Sequence, residues 1–216
     1  MRDPSIIESC ARPGGWRSSA WMLDTWMAKS RRLRIVASRS AAVAYRFGVT
    51  ANRATAAAAL AGGLSALALA CGYNGAGLTA LWISALFDAL DGVIARNCQR
   101  PTVLGGVIDL VSDRWVEAAA LVGVVWHRPD LSFAALVVAA SWYVNITVFL
   151  AVGSGLGAGE KLIQYPPGVL ERAEAFIFLT LLVLIGNGGV YLCYLYAAAE
   201  VLTAIQRLNF ARRHLR

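Results

Sequence analysis

Four aspartates lie inside or at the edges of apolar segments in the middle of this 216-residue chain. They are Asp88, Asp91, Asp109 and Asp113. The first two are three positions apart and the last two are four apart, so each pair lies on one face of a helix. A carboxylate in hydrocarbon is costly, and such residues normally face a partner or a water-filled cavity. Because a short loop joins the two segments, we expect all four carboxylates to converge at a similar depth.

Convergence of four carboxylates requires a cation, because ionised carboxylates repel one another at close range. Carboxylate oxygens are hard ligands that select Mg²⁺, Mn²⁺ or Ca²⁺. Two such ions beside a lipid interface indicate phosphoryl chemistry, in which metals hold phosphate oxygens and stabilise a leaving group. Gly92 and Gly105 lie between or beside the two pairs and let a phosphate or a base approach the backbone. Arg96 offers a planar fork for phosphate.

The composition indicates that these residues are held in a membrane. The chain is 58% hydrophobic and 15% charged, whereas a soluble domain carries about 25% charged residues. Six apolar segments approach the roughly 20 residues that a helix needs to cross the bilayer. They cover residues 54–73, 76–96, 104–126, 131–154, 170–186 and 188–208. Strand-like alternation is absent, so we predict an all-α membrane protein with six transmembrane helices.

The N-terminal region has a different pattern. Residues 18–47 combine apolar side chains at helical spacing with many Lys and Arg residues. This predicts an amphipathic juxtamembrane helix, with its apolar side in the acyl boundary and its basic side toward lipid phosphates. The alternative is a basic cytoplasmic arm without a catalytic role. We therefore divide the chain into residues 1–47, a tail and interfacial helix, and residues 48–216, a six-helix domain.

The charge distribution predicts the orientation in the membrane. With six spans both termini share one side, and nearly all Lys and Arg residues outside the spans fall on that side. Arg128 is the exception on the opposite side. The positive-inside rule therefore predicts that both termini are cytoplasmic. The net charge of +7 is assigned to anionic lipid head groups rather than to nucleic acid.

The central residues resemble a known family pattern. The sequence reads Asp88-x-x-Asp91-Gly92-x-x-Ala95-Arg96, eight residues, then Gly105-x-x-x-Asp109-x-x-x-Asp113. It resembles the signature of the CDP-alcohol phosphatidyltransferase family, with every fixed position filled. The preceding patch, residues 50–55, resembles the Thr-Pro-Asn-x-x-Thr segment of that family, except that Ala51 stands at the proline. Within this patch, Asn52 is a candidate nucleotide contact, although Thr50 or Asn52 equally suits a helix N-cap.

The resemblance implies a metal-dependent enzyme of phospholipid biosynthesis that transfers a phosphatidyl group from CDP-diacylglycerol to an alcohol and releases CMP. It implies that two Mg²⁺ or Mn²⁺ ions are held by Asp88, Asp91, Asp109 and Asp113. Asp113 would also act as general base on the acceptor hydroxyl. The CDP moiety would be bound by Gly92, Arg96, Gly105 and Asn52. The family further implies a homodimer in the cell (inner) membrane, with its active site open to the cytoplasm.

Acceptor selectivity is expected in the last three spans and the loop before the fifth. Residues 171–174 resemble part of the Ile-Glu-Arg-Pro-Glu-Arg segment of actinobacterial phosphatidylinositol-phosphate synthases, which makes Arg172 a candidate for an acceptor phosphate. A Lys-x-Arg of those enzymes corresponds to Asn145 and Thr147, an uncharged pair that binds hydroxyls, or a phosphate only weakly, and leaves a neutral polyol open as acceptor. Lys161 is a further acceptor candidate. As alternatives, Lys161 is an ordinary cytoplasmic loop lysine and Arg172 a helix-start anchor.

Two other functions stay open at the level of the sequence. A transferase that takes its head group from a soluble CDP-alcohol and passes it to diacylglycerol needs the same eight motif residues. A transporter or ion pathway also needs carboxylates within the membrane. The transporter hypothesis predicts no metal-dependent CMP release, and it predicts that Asp113→Asn is tolerated.

Overall fold

The computed structural model describes residues 31–99, 101–156 and 172–214. Within these ranges the chain forms seven α-helices and no strand. They are α1 (Arg31–Arg46), α2 (Ala51–Ala70), α3 (Asn74–Asn97), α4 (Val103–His127), α5 (Ser132–Leu156), α6 (Arg172–Leu184) and α7 (Gly189–His214), with a 3₁₀ turn at Pro129–Leu131. The prediction of an all-helical protein is confirmed. Each predicted span overlaps one of the helices α2 to α7.

Four of the helical segments are long and apolar enough to cross a membrane. They are Ala51–Ala70, Asn74–Asn97, Pro129–Gly155 and Gly189–His214. Helix α4 has 25 residues, but its first half carries charged side chains in the stretch 109–117. The described part of α6 is a shorter apolar helix, Ala173–Leu184. These apolar helices indicate a membrane protein, whereas the count of six spans and the orientation stay predictions.

Helix α2 is packed between α3 and α4, and small residues permit this close packing. Gly62 lies against the side chain of Val116, and Gly123 lies against the backbone carbonyl of Ala66, so an added methyl group would overlap either neighbour. Small residues at helix contacts let two backbones approach closely in membrane proteins. The turn from α2 to α3 uses Gly72, whose φ of 80° lies in the left-handed region that favours glycine.

The larger of two apolar clusters among the described residues joins α2, α3 and α4 to the later helices. Its members with no more than 2% exposure include Leu69, Leu81, Val116, Leu131, Phe176 and Leu179. Helices α5 and α7 pack along each other, and Trp142 donates to the Tyr196 hydroxyl at 3.2 Å. At the end of α6, the Arg128 guanidinium donates to the carbonyls of Ile185 and Gly186, at 2.9 and 2.8 Å. A cation is favourable at this end of a helix.

Helix α1 lies across α3. One face of α1 buries Ala41 and Ala42 against Val93, Ile94 and Cys98. The opposite face exposes Val36, Val43 and Phe47 together with Arg39 and Arg46. Exposed apolar and basic side chains on one short helix are typical of a membrane surface. The interfacial role of this helix nevertheless stays a prediction, and residues 1–30 lie outside the described ranges.

Candidate metal and nucleotide site

Three of the four predicted aspartates come together between α3 and α4. Asp88 and Asp91 project from α3 and Asp109 from α4, and a carboxylate oxygen of each lies within 4.8 Å of the others. Asp91 is buried, and the other two are half-buried. We call these three residues the carboxylate cluster. Three hard oxygen donors at this separation fit a divalent cation such as Mg²⁺ or Mn²⁺.

The start of α4 is fixed by a local cap. Thr102 has an extended backbone, and its side-chain oxygen accepts from Gly105 N at 3.0 Å. A threonine at this position satisfies one of the otherwise unpaired N–H groups of the first turn. The cap begins α4 immediately after the short link from α3, so that Asp109 falls in the second turn, opposite the last turns of α3.

Asp113 lies one turn further along α4 and is outside the cluster of three. Four residues of helix correspond to about 6 Å of rise. The side chain is 4% exposed, so it is buried more deeply than the half-buried Asp88 and Asp109. Its predicted roles as metal ligand and general base stay predictions, and its separation from the cluster is compatible with a task of its own.

Thr55 on α2 contacts the cluster directly, although it is not among the predicted site residues. Its hydroxyl lies 2.6 Å from Asp91 Oδ2 and 3.1 Å from the backbone carbonyl of Ala51. A hydroxyl has one proton to donate, and the shorter contact, to a carboxylate, is the stronger one. The Asp91 carboxylate is therefore held in one orientation. The available signal was the position of Thr55 as the last threonine of the segment that resembles Thr-Pro-Asn-x-x-Thr.

We expect Thr55→Val to weaken Mn²⁺ binding by about 10–100-fold, the usual cost of losing a residue that orients a metal ligand. Valine keeps the shape and removes the hydroxyl, whereas Thr55→Ser keeps the hydroxyl and should retain most of the affinity. The measurement is a titration of the purified protein with Mn²⁺, followed by electron paramagnetic resonance. Thr79→Val is a matched control, because the exposed Thr79 hydroxyl bonds only to its own helix among the described residues. Equal affinity in Thr55→Val and Thr79→Val would contradict the orienting role.

A cavity of 540 Å³ opens beside the cluster, between the start of α2, the end of α3 and the start of α4. We call it the site cavity. All four residues that the resemblance assigned to CDP line it, namely Asn52, Gly92, Arg96 and Gly105. It is also lined by Asp91 and Asp109 of the cluster and by Thr50, Thr55, Gln99 and Thr102. The metal donors and the predicted nucleotide contacts thus share one opening.

Glycine positions keep this opening wide. A side chain at position 92 would begin 3.3 Å from Arg96 Nη1, and one at Gly105 would begin 3.0 Å from Thr102 Oγ1. The geometry shows which residue caps α2, whereas the nucleotide contact of Asn52 stays a prediction. The Thr50 side chain caps the helix by accepting from Arg53 N at 3.3 Å, so Asn52 remains available to the cavity.

Among the predicted acceptor residues, Asn145 has a described side chain, and it does not line this cavity. Asn145 is buried between α5 and α7, where its amide donates to Glu200 and accepts from Arg207 Nη1 at 2.6 Å. The Arg207 guanidinium also lies 4.9 Å from the centre of the Phe149 ring. We call Asn145, Glu200 and Arg207 the buried polar network.

The charged members of this network were missed in the sequence. The available signal was a glutamate and an arginine seven residues apart in an apolar helix, which places them two turns apart on one face. Arg172 begins α6, but its side chain, and all of Lys161, lie outside the described residues. Thr147 is exposed and donates to the Tyr143 carbonyl at 2.7 Å.

Taken together, the helical fold, the carboxylate cluster and the adjoining cavity indicate a membrane protein with a candidate site for a divalent metal. The family profile described as CDP-alcohol phosphatidyltransferase matches residues 48–206. The chain therefore belongs to this family, as its central motif predicted.

Named relatives agree with this assignment. The phosphatidylinositol phosphate synthase of Mycobacteroides abscessus is 30% identical over 145 residues, which are 62% of this chain and 63% of that protein. The archaetidylinositol phosphate synthase of Methanothermobacter thermautotrophicus is 29% identical over 156 residues, covering 65% and 71%. The chain thus spans less than two thirds of the length of the first of these relatives.

Solved structures give the same fold over more of the chain. The crystal structure of Mycobacterium tuberculosis phosphatidylinositol phosphate synthase with CDP-DAG bound has a TM-score of 0.68 and 26% identity, covering 82% of this chain and 93% of that chain. The same enzyme in complex with manganese and citrate has a TM-score of 0.66 and 27% identity, covering 81% and 88%.

Proposed function

We propose that this protein transfers a phosphatidyl group from CDP-diacylglycerol to an alcohol and releases CMP. The observation that carries the proposal is the carboxylate cluster, three aspartates from two helices within 4.8 Å, at the edge of a cavity lined by the predicted nucleotide residues. The Mycobacterium tuberculosis structures, one with CDP-DAG and one with manganese, support the same donor and the same kind of metal.

Metal binding and diphosphate binding are assigned to different residues of the site. Asp88, Asp91 and Asp109 would hold one or two Mg²⁺ or Mn²⁺ ions, and a bound ion neutralises charge on the diphosphate and on the departing CMP. Arg96 offers paired donors to a phosphate group, and Gly92 leaves room for it. These residues hold the donor diphosphate with its β-phosphorus toward the membrane end of the site.

Asp113 is proposed to take the proton of the acceptor hydroxyl. As the proton leaves, the acceptor oxygen forms a bond to the β-phosphorus of the donor. The bond from that phosphorus to the oxygen that bridges the two phosphates breaks, and CMP departs with the bridging oxygen. This in-line displacement requires no covalent intermediate on the enzyme.

The test is CMP release by the purified protein with Mg²⁺ or Mn²⁺. One arm supplies CDP-diacylglycerol with a panel of alcohols, and the other supplies soluble CDP-alcohols with diacylglycerol. We expect CMP only in the first arm and only with a divalent cation. Release only in the second arm would establish the alternative transferase, and no release in either arm would contradict both.

For the acceptor we propose a polyol of the inositol class. The names of the relatives support an inositol-containing product. The predicted acceptor contact Asn145 is an uncharged amide, which favours hydroxyl groups over a second phosphate, and it bonds to Glu200 and Arg207 outside the site cavity. Both ends of the Asn145 amide bond to Glu200 and Arg207. Any effect of Asn145 on acceptor selectivity would therefore pass through those two side chains. Free inositol and inositol phosphate are therefore separate members of the alcohol panel.

We expect Arg172→Ala to raise the KM for the acceptor roughly tenfold, the cost of one charge-assisted hydrogen bond, with little change in the KM for CDP-diacylglycerol. The reason is the position of Arg172 at the start of α6, within the segment that resembles the inositol-phosphate enzymes. Steady-state kinetics with each substrate varied in turn provide the measurement. The control is Arg213→Ala, an exposed arginine at the end of α7. A change confined to the donor KM would reassign Arg172 to the nucleotide or lipid side.

We also propose six spans, cytoplasmic termini and a homodimer in the inner membrane. The described basic residues support the orientation. On the site side lie Arg39, Arg46, Arg53, Arg96, Arg207, Arg212 and Arg213. At the opposite ends of the helices, the described residues include one arginine, Arg128, which caps α6. Such an excess of arginine on one side is typical of the cytoplasmic face, so the site cavity would open to the cytoplasm.

A further inference from the structure

Gln99 lies in the wall of the site cavity at the end away from the carboxylate cluster, and the orientation of its amide is fixed. Gln99 Oε1 accepts from the backbone N–H of Ala51 at 3.1 Å. The two ends of a glutamine amide are usually hard to distinguish. Here a backbone N–H can only donate, so the atom that faces it must be the carbonyl oxygen. The NH₂ group therefore lies on the other side, and no described residue accepts from it.

The distance from the cluster suits the length of a nucleoside diphosphate. Gln99 follows Asp91 by eight residues and lies two residues beyond the end of α3, and the helical stretch from Asp91 to Asn97 alone rises about 9 Å. Gly92 and Arg96 lie between them on the cavity wall. With the diphosphate at the cluster, the ribose falls beside the intervening residues and the base reaches Gln99.

We propose that Gln99 reads the base of the donor and selects cytosine over uracil, an inference that rests on the proposed function. The Watson–Crick edge of cytosine presents two acceptors, N3 and O2, to the Gln99 NH₂ group. Uracil carries a hydrogen on N3, so a donor would there face a donor. A free glutamine would turn its amide over and accept from uracil. Gln99 is prevented from doing so, because turning over would place its NH₂ against the Ala51 N–H.

The Ala51 N–H is essential to this selection, and Ala51 stands where the family segment has proline. The proline of that segment has no N–H and would leave the glutamine amide free to turn. Proline is well tolerated at the first position of a helix, which Ala51 occupies in α2. The preceding Thr50, with φ −96° and ψ 162°, already has the extended backbone that a residue before proline prefers. Ala51→Pro therefore keeps the helix but removes the hydrogen bond from the Ala51 N–H that holds the Gln99 amide in one orientation.

The experiment measures the affinities of CDP and UDP for the purified full-length protein in the presence of Mn²⁺. We expect the parent protein to prefer CDP by about tenfold or more, the effect of one gained or mismatched hydrogen bond. Gln99→Leu should bring the ratio close to one by weakening CDP. Gln99→Glu should do the same while keeping an acceptor for the Ala51 N–H, and it tests the same donor if Gln99→Leu fails to fold. Ala51→Pro should lower the ratio by strengthening UDP.

Gln206→Leu is the matched control, because Gln206 is exposed on α7, away from the cavity, and it should keep the parent ratio. A parent-like ratio in Gln99→Leu or Gln99→Glu would overturn the base-reading role. A parent-like ratio in Ala51→Pro would overturn the claim that the Ala51 N–H fixes the orientation of the Gln99 amide. If the parent protein binds neither nucleotide, the proposed function falls as well. If the parent protein binds CDP and the variants keep the parent ratio of CDP to UDP affinity, the proposed function stands and this inference alone is overturned.

Discussion

Asp113→Asn should abolish CMP release, with a loss in rate of about 10²–10⁴-fold, the range of general-base catalysis, while Mn²⁺ and CDP-diacylglycerol still bind. Asparagine has nearly the same shape as aspartate but accepts no proton from the acceptor hydroxyl. Asp113 is 4% exposed and lies a turn beyond the carboxylate cluster, so its replacement leaves the three clustered oxygens in place. Single-turnover CMP release and Mn²⁺ titration of the same preparation separate the two effects.

A suitable control for this change is Asp130→Asn, a carboxylate at the opposite ends of the helices that pairs with Arg128 at 3.0 Å. It should release CMP at the parent rate. Unimpaired turnover in Asp113→Asn would remove the proposed base. If Asp113→Asn lost both its affinity for Mn²⁺ and its turnover, Asp113 would instead be chiefly a metal ligand.

The carboxylate cluster was predictable from the sequence because its determinants are local. The spacing of Asp88 and Asp91 fixes a common helix face, and the short link before α4 brings Asp109 back to the same depth. Thr102 caps that link, again within four residues. Apolar length likewise predicted the helices α2 to α7, since a helix that crosses a bilayer satisfies its backbone within one segment.

The contacts that support the site were not predictable in the same way. Thr55 and Asp91 are 36 residues apart, and Gln99 and Ala51 are 48 apart. Both contacts depend on how α2 is rotated against α3, and this rotation is set by packing of small residues along α2, with Gly62 against Val116 on α4. The hydropathy of a nearly uniform Ala-rich helix does not specify which face turns inward. The same holds for Asn145 and Arg207, which meet across 62 residues.

Loss of a metal ligand should also have a large effect on activity. Asp109→Asn should lower Mn²⁺ affinity by more than the roughly 100-fold upper range expected for an orienting residue, and CMP release should fall below detection. Asp109 is the one member of the carboxylate cluster that comes from α4, so its loss leaves two donors on a single helix. The substitution also removes one of the three negative charges that attract the cation, and an amide oxygen is a weaker ligand for a hard cation.

Excess metal distinguishes this direct ligand from the residue that orients its neighbour. Raising Mn²⁺ well above the dissociation constant should restore CMP release in Thr55→Val, because its three carboxylates remain and only their preorganisation is reduced. The same excess should leave Asp109→Asn inactive, because an occupied but incomplete site does not hold the donor diphosphate in line with the acceptor. Full recovery of Asp109→Asn at high Mn²⁺ would show that the ion is held elsewhere, and the carboxylate cluster would then lose its place at the centre of the reaction.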